Sequence, residues 1–597
     1  MDRRQFLRQS LFFTVAAAGG ALSACGGGGG DPGAPGEPAG RYSFPQGVAS
    51  GDPRDNSVVF WGRCVRSDGS AADVALRLQV SLNDAFTALL AEVALTATAT
   101  WDHTVRAKVT GLPAATGLYY RFIAGSDTSA VGRTKTAPAP TSTPAQLRLG
   151  WLTCQDWSVN HWAGMSLLAQ EELDLLVHVG DYIYETVGAS FQAGKAEPAH
   201  TGITLPSNTT LAGGVRVAAT LADYRHLYRT YRGDPRLQAL HAKCAMVAVW
   251  DDHEFSDDCW QDHETYTNAN AQQTARRRAA NQAWVEYMPV DFGDVSFDSA
   301  NTAYNNLRIY RDFRFGTLAH LVMTDERLYR DDHVVSEAAI AQAQGHDPVN
   351  GSDSVGARYF VQQPVLQQFE AAKTQALGRA PSILGPTQTQ WWKDTLANSP
   401  ATWKLWGNQV TLNRMWADLR QLAPPPYDAL YVVNADAWDG YPTHKAELMG
   451  FLRERNLGNV VALTGDLHAF QCGVVRDTPD PQTGQPVMVD FVSAGISSSS
   501  FYTYLKAGAQ GTPLASLVAT PETLEQVIRG HNPDFAYTDH HAQGFATAVV
   551  TPQQLVVTFH KLRPLNSDGS APTDPLLKRT RITLAAGSTT PLVQDNV

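Results

Sequence analysis

Residues Val177 to Glu185 read VHVGDYIYE, and the reading of that stretch decides the fold. It closes an apolar run, LDLLVHVG from Leu173, of buried-strand length, followed directly by Gly180-Asp181. A strand that stops at Gly-Asp places a carboxylate on the loop at its C-terminal end, and ligands of α/β sheets bind in the crevice beyond those ends. Tyr184 follows three residues after Asp181, close enough to point back at whatever the carboxylate binds. Both side chains offer anionic oxygen, and aimed at one point they suit a hard, strongly charged cation. Taken alone, Gly-Asp fits a helix-capping Asp181 and a core Tyr184 better than a metal site. The clusters further along the chain tip the reading towards a metal.

Those clusters repeat one pattern. Leu147 to Thr153 reads as a strand that runs into Cys154-Gln155-Asp156. Ala245 to Trp250 is a buried-type strand ending in Asp251-Asp252-His253-Glu254. Leu318 to Thr324 closes at Asp325-Glu326-Arg327, Trp403 to Trp406 leads to Gly407-Asn408-Gln409, and Val460 to Thr464 ends in Gly465-Asp466-Leu467-His468. Ionisable residues directly after core strands are costly unless they are used. The strand ends carry Cys154, Asp181 with Tyr184, Asp252 with His253, Asn408, and Asp466 with His468. Hard oxygen with some imidazole and one thiolate fits a two-metal site with one bridging carboxylate.

The 597 residues exceed what one core fills, so two or three domains are expected. The apolar content of 43% and charged content of 18% are those of a globular protein. A net charge of -11 lacks the basic face that neutralises backbone phosphates, so no nucleic-acid partner is inferred. A small phosphate ester is not excluded, because a metal supplies positive charge locally.

Residues 1–24 read as a twin-arginine signal peptide: Arg3-Arg4-Gln5-Phe6-Leu7-Arg8, then a mildly apolar stretch from Leu11 to Ala24 broken by Gly19 and Gly20. That stretch is too short to span a membrane as a mature helix. Leu22-Ser23-Ala24-Cys25 resembles a lipoprotein processing box, with Cys25 as the lipidated first residue; a plain signal peptide cut nearby is the alternative. A Gly/Pro-rich tether, 25–40, follows and suits a spacer between an anchor and a folded body. The expected route is the twin-arginine export machinery. The expected location is the periplasm or cell surface, with Cys25 as a membrane anchor. Five widely spaced cysteines remain after Cys25, an odd number that does not make a disulfide framework.

Residues 41–141 read as a β domain. Val58 to Arg63, Val74 to Ser81, His103 to Val109 and Leu118 to Phe122 are short strands between Gly/Pro turns, the spacing of an immunoglobulin- or fibronectin-like β-sandwich. Ala137 to Ala145 is the linker. Residues 146–597 form the catalytic domain, within which Asp332 to Ser382 is polar and irregular and reads as surface loop with some helix.

The spacing Gly-Asp, then Asp-His-Glu, then Gly-Asp-x-His resembles the calcineurin-like metallophosphoesterase superfamily. Gly180-Asp181-x-x-Tyr184 also resembles the purple acid phosphatase variant, in which Tyr binds ferric iron. The closer similarity is to the PhoD-type alkaline phosphatases. It rests on GVASGDP (Gly47 to Pro53), TCQD (Thr153 to Asp156), GDYIYE (Gly180 to Glu185), WDDHEF (Trp250 to Phe255), TWKLWGNQ (Thr402 to Gln409) and TGDLH (Thr464 to His468). Together these cover nearly the whole mature chain. The resemblance implies a β-sandwich followed by a four-layer α/β metallophosphoesterase domain. It implies hydrolysis of phosphate monoesters, and sometimes diesters, outside the cytoplasm, with Fe(III) and Ca2+ as cofactors. By the same resemblance Cys154, Asp181, Tyr184 and His468 hold iron, Asp181 bridges, and Asp252 and Asp466 with Asn408 complete the calcium side.

On that reading a metal-activated hydroxide attacks phosphorus. His253 hydrogen-bonds the phosphate or protonates the leaving group, or else orients a ligand. Arg327 or Arg330 is a candidate for holding a phosphate oxygen. The serines of Ser493 to Ser500 lack a nucleophile motif, so a serine mechanism ranks low. A phospholipase D-like or other phosphodiesterase on the same site is one alternative. A non-catalytic surface binding protein is another.

Overall fold

The computed structural model describes residues 12–16, 40–192, 194–267, 269–345 and 359–597. Arg3, Arg4, Cys25 and the tether up to residue 39 lie outside the described residues. No described helix is long and apolar enough to cross a membrane.

Two sheets face each other. In the first, Leu147–Leu152, Leu175–His178, Met246–Ala248 and Val48–Gly51 lie side by side in parallel. In the second, Ala319–Met323, Trp403–Gly407, Val460–Thr464 and Pro486–Val492 do the same. Strands buried on both faces need apolar residues at every position, and the sequence supplies them. Leu321, Met323, Leu405, Val461 and Leu463 share one core with Leu149, Trp151 and Val177 of the first sheet. The alternating Val322, Trp406, Val460 and Ala462 face a second core instead, packed on the helices Gly385–Ala397 and Pro442–Glu454 through Trp392, Leu448 and Leu452. Helices Ala163–Gln170, Leu221–Tyr231 and Pro235–Lys243 pack with the first sheet. The layers therefore run helix, sheet, sheet, helix.

The N-terminal region has its own core, with Phe60, Leu78, Val109 and Phe122 fully buried. Its strands Val74–Ser81, Leu89–Ala97 and Gly117–Ala124 make one layer. The other layer, Val48–Gly51, Ser57–Arg63 and Thr104–Thr110, is continuous with the first large sheet where Gly51 pairs Met246. A Cβ on Gly51 would stand 2.3 Å from the Pro289 carbonyl oxygen, so only glycine lets the two regions meet there. At the other edge, Gly544–Val550, Gln554–Leu562, Leu576–Ala585 and Leu592–Asp595 extend the sheet antiparallel. The segment expected to be irregular is largely helical where described, with Glu337–Gln344 and Gln363–Leu377. Its polar residues belong to the outer faces of those helices, which is why it lacks a strong apolar signal.

Candidate metal centre

Both sheets send their strand ends to one point. Cys154 lies two residues beyond Leu147–Leu152, Asp181 three beyond Leu175–His178, and Asp466 two beyond Val460–Thr464. Cys154, Asp181, Asp466 and His468 all have left-handed backbones, with φ of 54°, 57°, 60° and 58°. Each such residue stores about 1 kcal/mol or more of strain, and the surrounding fold holds all four.

The donor atoms of Cys154, Asp181 and His468 lie within 4.8 Å of one another. The Tyr184 hydroxyl is 3.1 Å from Oδ2 of Asp181 and 3.2 Å from Nε2 of His468. Asp181, Asp252 and His253 form a second such group, and Asp251, Asp252 and Asp466 a third. Asp181 thus belongs to the thiolate side and the carboxylate side at once. Asp252, Asp257 and Asp258 form one more group. Cys154, Asp181, Tyr184 and Asp252 are buried, while Asp466 and His468 are half-buried.

Burial, then repulsion from Asp252, holds the Asp181 carboxyl well above the usual carboxylate range. Burial, then Asp251, does the same to Asp466. Burial also pushes the Cys154 thiol up, with Asp181 adding to it, and draws His468 down to about 4. Asp252 goes the other way: burial raises it, but His253 and Arg327 outweigh that. Burial opposes charge on His253 as well, yet Asp252, Glu185 and Asp181 carry its pKa well above the ordinary value. Acids crowded in a buried cluster repel one another, and cations relieve the repulsion. One oxygen of Asp251, Oδ2, is buried without a hydrogen-bond partner. The donor types, their convergence and that orphaned oxygen fit a metal centre.

Residues not singled out as functional from the sequence build the frame. Glu254 accepts from the backbone N–H of Asp181, Tyr182 and Asp251 at 3.1, 2.7 and 2.9 Å, pinning both acid loops. Glu185 accepts from Nδ1 of His253 at 2.7 Å. The His253 ring stacks on Tyr184 with centroids 4.1 Å apart. Ser498 donates to the Cys154 carbonyl at 2.7 Å and lies 2.7 Å from the Tyr184 hydroxyl. That contact gives the serine-rich stretch a positioning role. Nδ1 of His468 meets the Ser499 carbonyl at 2.8 Å, which leaves Nε2 facing Tyr184.

The two arginine expectations change, and the Asn408 amide has partners of its own. Its Oδ1 accepts from Nε1 of Trp438 at 2.9 Å, and its Nδ2 donates to the Val410 carbonyl at 2.5 Å and to Thr464 Oγ1 at 2.9 Å. Asn408 thereby ties strand ends together, its oxygen turned to the Trp438 indole. Arg327 is fully buried and spends its guanidinium on acids: Asp251 at 2.5 Å, Asp436 at 2.7 Å and Asp466 at 3.1 Å. Arg330 is equally buried and pairs with Asp436 at 3.1 Å. Neither has a guanidinium open to a phosphate oxygen. Asp257 and Asp258, which follow the same strand end, lie beside Asp252.

Comparison with known proteins agrees with this architecture. The family described as PhoD-like phosphatase matches residues 149–559, and the PhoD-like phosphatase N-terminal domain matches residues 31–138. Alkaline phosphatase D of Bacillus subtilis (strain 168) is 27% identical over 582 residues, covering 96% of this chain and 86% of that protein. The solved structure of PhoD is similar over 94% of each chain, with 25% identity and a TM-score of 0.73.

Proposed function

The chain belongs to the PhoD-like phosphatase family, and on that premise we propose that this phosphoric ester hydrolase cleaves phosphate monoesters at the strand-end cluster, using iron and calcium. The observation that carries the reading is the placement of Tyr184, whose hydroxyl reaches both Asp181 and His468 beside the Cys154 thiol. Cys154, Asp181, Tyr184 and His468 would hold Fe(III); Asp252 and Asp466 would hold calcium, with Asp181 shared. Bound there, the cations supply positive charge to the phosphoryl oxygens and acidify a water.

The chain's own residues supply orientation and a proton. Glu185 fixes Nδ1 of His253, and Nε2, 3.7 Å from Oδ1 of Asp257, is the nitrogen that would face a phosphate oxygen or the leaving oxygen. Stacking on Tyr184 keeps that imidazole beside the ligand set. Arg327 offsets the surplus negative charge behind Asp466, Asp251 and Asp436. Asn408 locks the Thr464 strand end from which Asp466 departs.

Residues 41–141 and 146–597 are read as the β-sandwich and catalytic domains. Export by the twin-arginine machinery to the periplasm or cell surface, with Cys25 as lipid anchor, belongs to the same proposal and rests on the residues quoted from the N-terminus.

The test is phosphate release from a monoester and from a diester by the purified chain, with and without chelator, and by Asp181→Asn. The reading expects monoester turnover that chelation and Asp181→Asn both abolish. Turnover that survives both would refute the metal site, and preference for the diester would favour the phosphodiesterase alternative.

A further inference from the structure

The short helical turn Ser190–Gln192 comes soon after strand Thr186–Val187, which follows directly on Asp181 to Glu185. Gln192 is buried and locks that turn. Its Nε2 donates to the Thr186 carbonyl at 3.0 Å and to Oδ2 of Asp156 at 3.2 Å, and its Oε1 accepts from the Ala189 N–H at 3.1 Å. The residue before it, Phe191, is thereby held against the strand-end cluster. Its ring centroid lies 5.2 Å from the His253 imidazole, tilted by 46°, and 6.3 Å from the Tyr184 ring.

Phe191 is half-buried, whereas the two rings it meets are buried. Glu185, Asp257 and Tyr184 surround the same imidazole with oxygen: Glu185 binds Nδ1, Oδ1 of Asp257 lies 3.7 Å from Nε2, and the Tyr184 ring stacks on its face. Phe191 gives that imidazole an apolar flank. A turn anchored by hydrogen bonds sets its side chains before a ligand arrives, so little ordering is left to be done on binding. A partly covered phenyl ring gains when a flat apolar group covers the rest, both by burial and by ring–ring contact.

His253 is the group placed to meet the leaving oxygen, so what flanks its ring flanks the alcohol that leaves. We propose that Phe191 is a specificity residue of this site, an apolar wall that selects phosphate monoesters of aromatic alcohols over those of small aliphatic ones. The inference rests on the reading of the strand-end cluster as the hydrolytic site.

The test compares benzyl phosphate with ethyl phosphate, esters of two primary alcohols of similar basicity, on the full-length metal-loaded protein and on Phe191→Ala. The unaltered protein should prefer benzyl phosphate in kcat/KM by about tenfold, and Phe191→Ala should lower that ratio by about tenfold. Phe191→Leu, which keeps an apolar side chain against His253, should lose less of it. Calorimetric titration with benzylphosphonate, which is not hydrolysed, should show about tenfold weaker binding to Phe191→Ala. A ratio near one in the unaltered protein would overturn the inference. So would an equal fall on both esters in Phe191→Ala, which would reduce Phe191 to packing for His253, or equal benzylphosphonate affinity in the two proteins. Chelator-sensitive turnover of both esters with an indifferent ratio removes this inference alone. No chelator-sensitive turnover of either removes the reading of the site, and the inference with it.

Discussion

The Tyr184 hydroxyl lies 3.2 Å from Nε2 of His468, although 284 residues separate them in the chain. One residue follows a strand of the first sheet, the other a strand of the second. The contact therefore forms only when the two sheets pack, and the site is a product of the whole catalytic fold rather than of a local motif. Ser498 closes the arrangement by touching both the Tyr184 hydroxyl and the Cys154 carbonyl.

The first prediction concerns Ser498. Ser498→Ala removes two hydrogen bonds at the core of the site without deleting a donor to the metal. Each buried bond contributes about 1 kcal/mol. We expect kcat/KM to fall by about tenfold while metal content is unchanged, as read by phosphate release and metal analysis on the same sample. A loss as deep as that of Asp181→Asn would place Ser498 in the chemistry instead.

His253 carries a prediction that depends on the leaving group. A general acid matters when the departing alkoxide is basic and matters little for an activated aryl oxide. His253→Gln should lower kcat/KM by about 10²–10⁴ on alkyl phosphates and far less on p-nitrophenyl phosphate. Glu185→Gln, which loosens Nδ1, should follow the same trend with smaller amplitude. Equal losses on both substrate classes would assign His253 to ligand orientation.

Arg327 separates a structural from a substrate-binding role. Arg327→Met leaves Asp251, Asp436 and Asp466 without their shared cation. Breaking a buried pair this way costs about 3–5 kcal/mol. The expected outcome is a large fall in urea midpoint in metal-free protein. Unchanged stability with a raised KM would instead restore Arg327 as a phosphate-binding group.

Acid sensitivity provides a prediction outside the ligand set. Burial works against the Glu525 carboxylate, but hydrogen bonds from His540 and Thr538 outweigh it and bring its pKa down from 4.5 to about 2. A depressed folded pKa gives stability that is fully present above the unfolded value and lost as pH falls through the folded one. Glu525 therefore contributes most above pH 4.5 and progressively less towards pH 2. Glu525→Gln should flatten the stability curve in that window, as measured by urea unfolding at several pH values. An unchanged slope would contradict it.

Much of the candidate site was legible because chemistry follows each core strand. Apolar runs ending at Cys154, Gly180-Asp181, Asp251-Asp252 and Gly465-Asp466 marked both the strands and the corner where they meet. What sequence left ambiguous depends on side-chain partners. Asn408 stands at a strand end like a ligand, yet its amide answers to Trp438, Val410 and Thr464. Arg327 reads like a phosphate contact, because nothing local signals that its partners are Asp251, Asp436 and Asp466 from three other loops. Glu254 looked like one more acid, although its role is to hold three backbone N–H groups. One signal was within reach: Gly180 has φ of 117°, and a Cβ there would stand 2.3 Å from the Asp251 Cβ, so glycine marks where the two acid loops touch. The union of the N-terminal layer with the main sheet through Gly51 and Met246 is a long-range pairing with no local pattern to announce it.

The central claim is a mixed-metal centre in which Cys154 and Tyr184 share iron with Asp181 and His468. Metal content and the visible spectrum of the mature protein, purified without chelator and compared with Tyr184→Phe, test it most directly. The account predicts iron together with calcium, and a charge-transfer band that Tyr184→Phe shifts or removes. A colourless protein carrying zinc or manganese, or a band untouched by Tyr184→Phe, would contradict it.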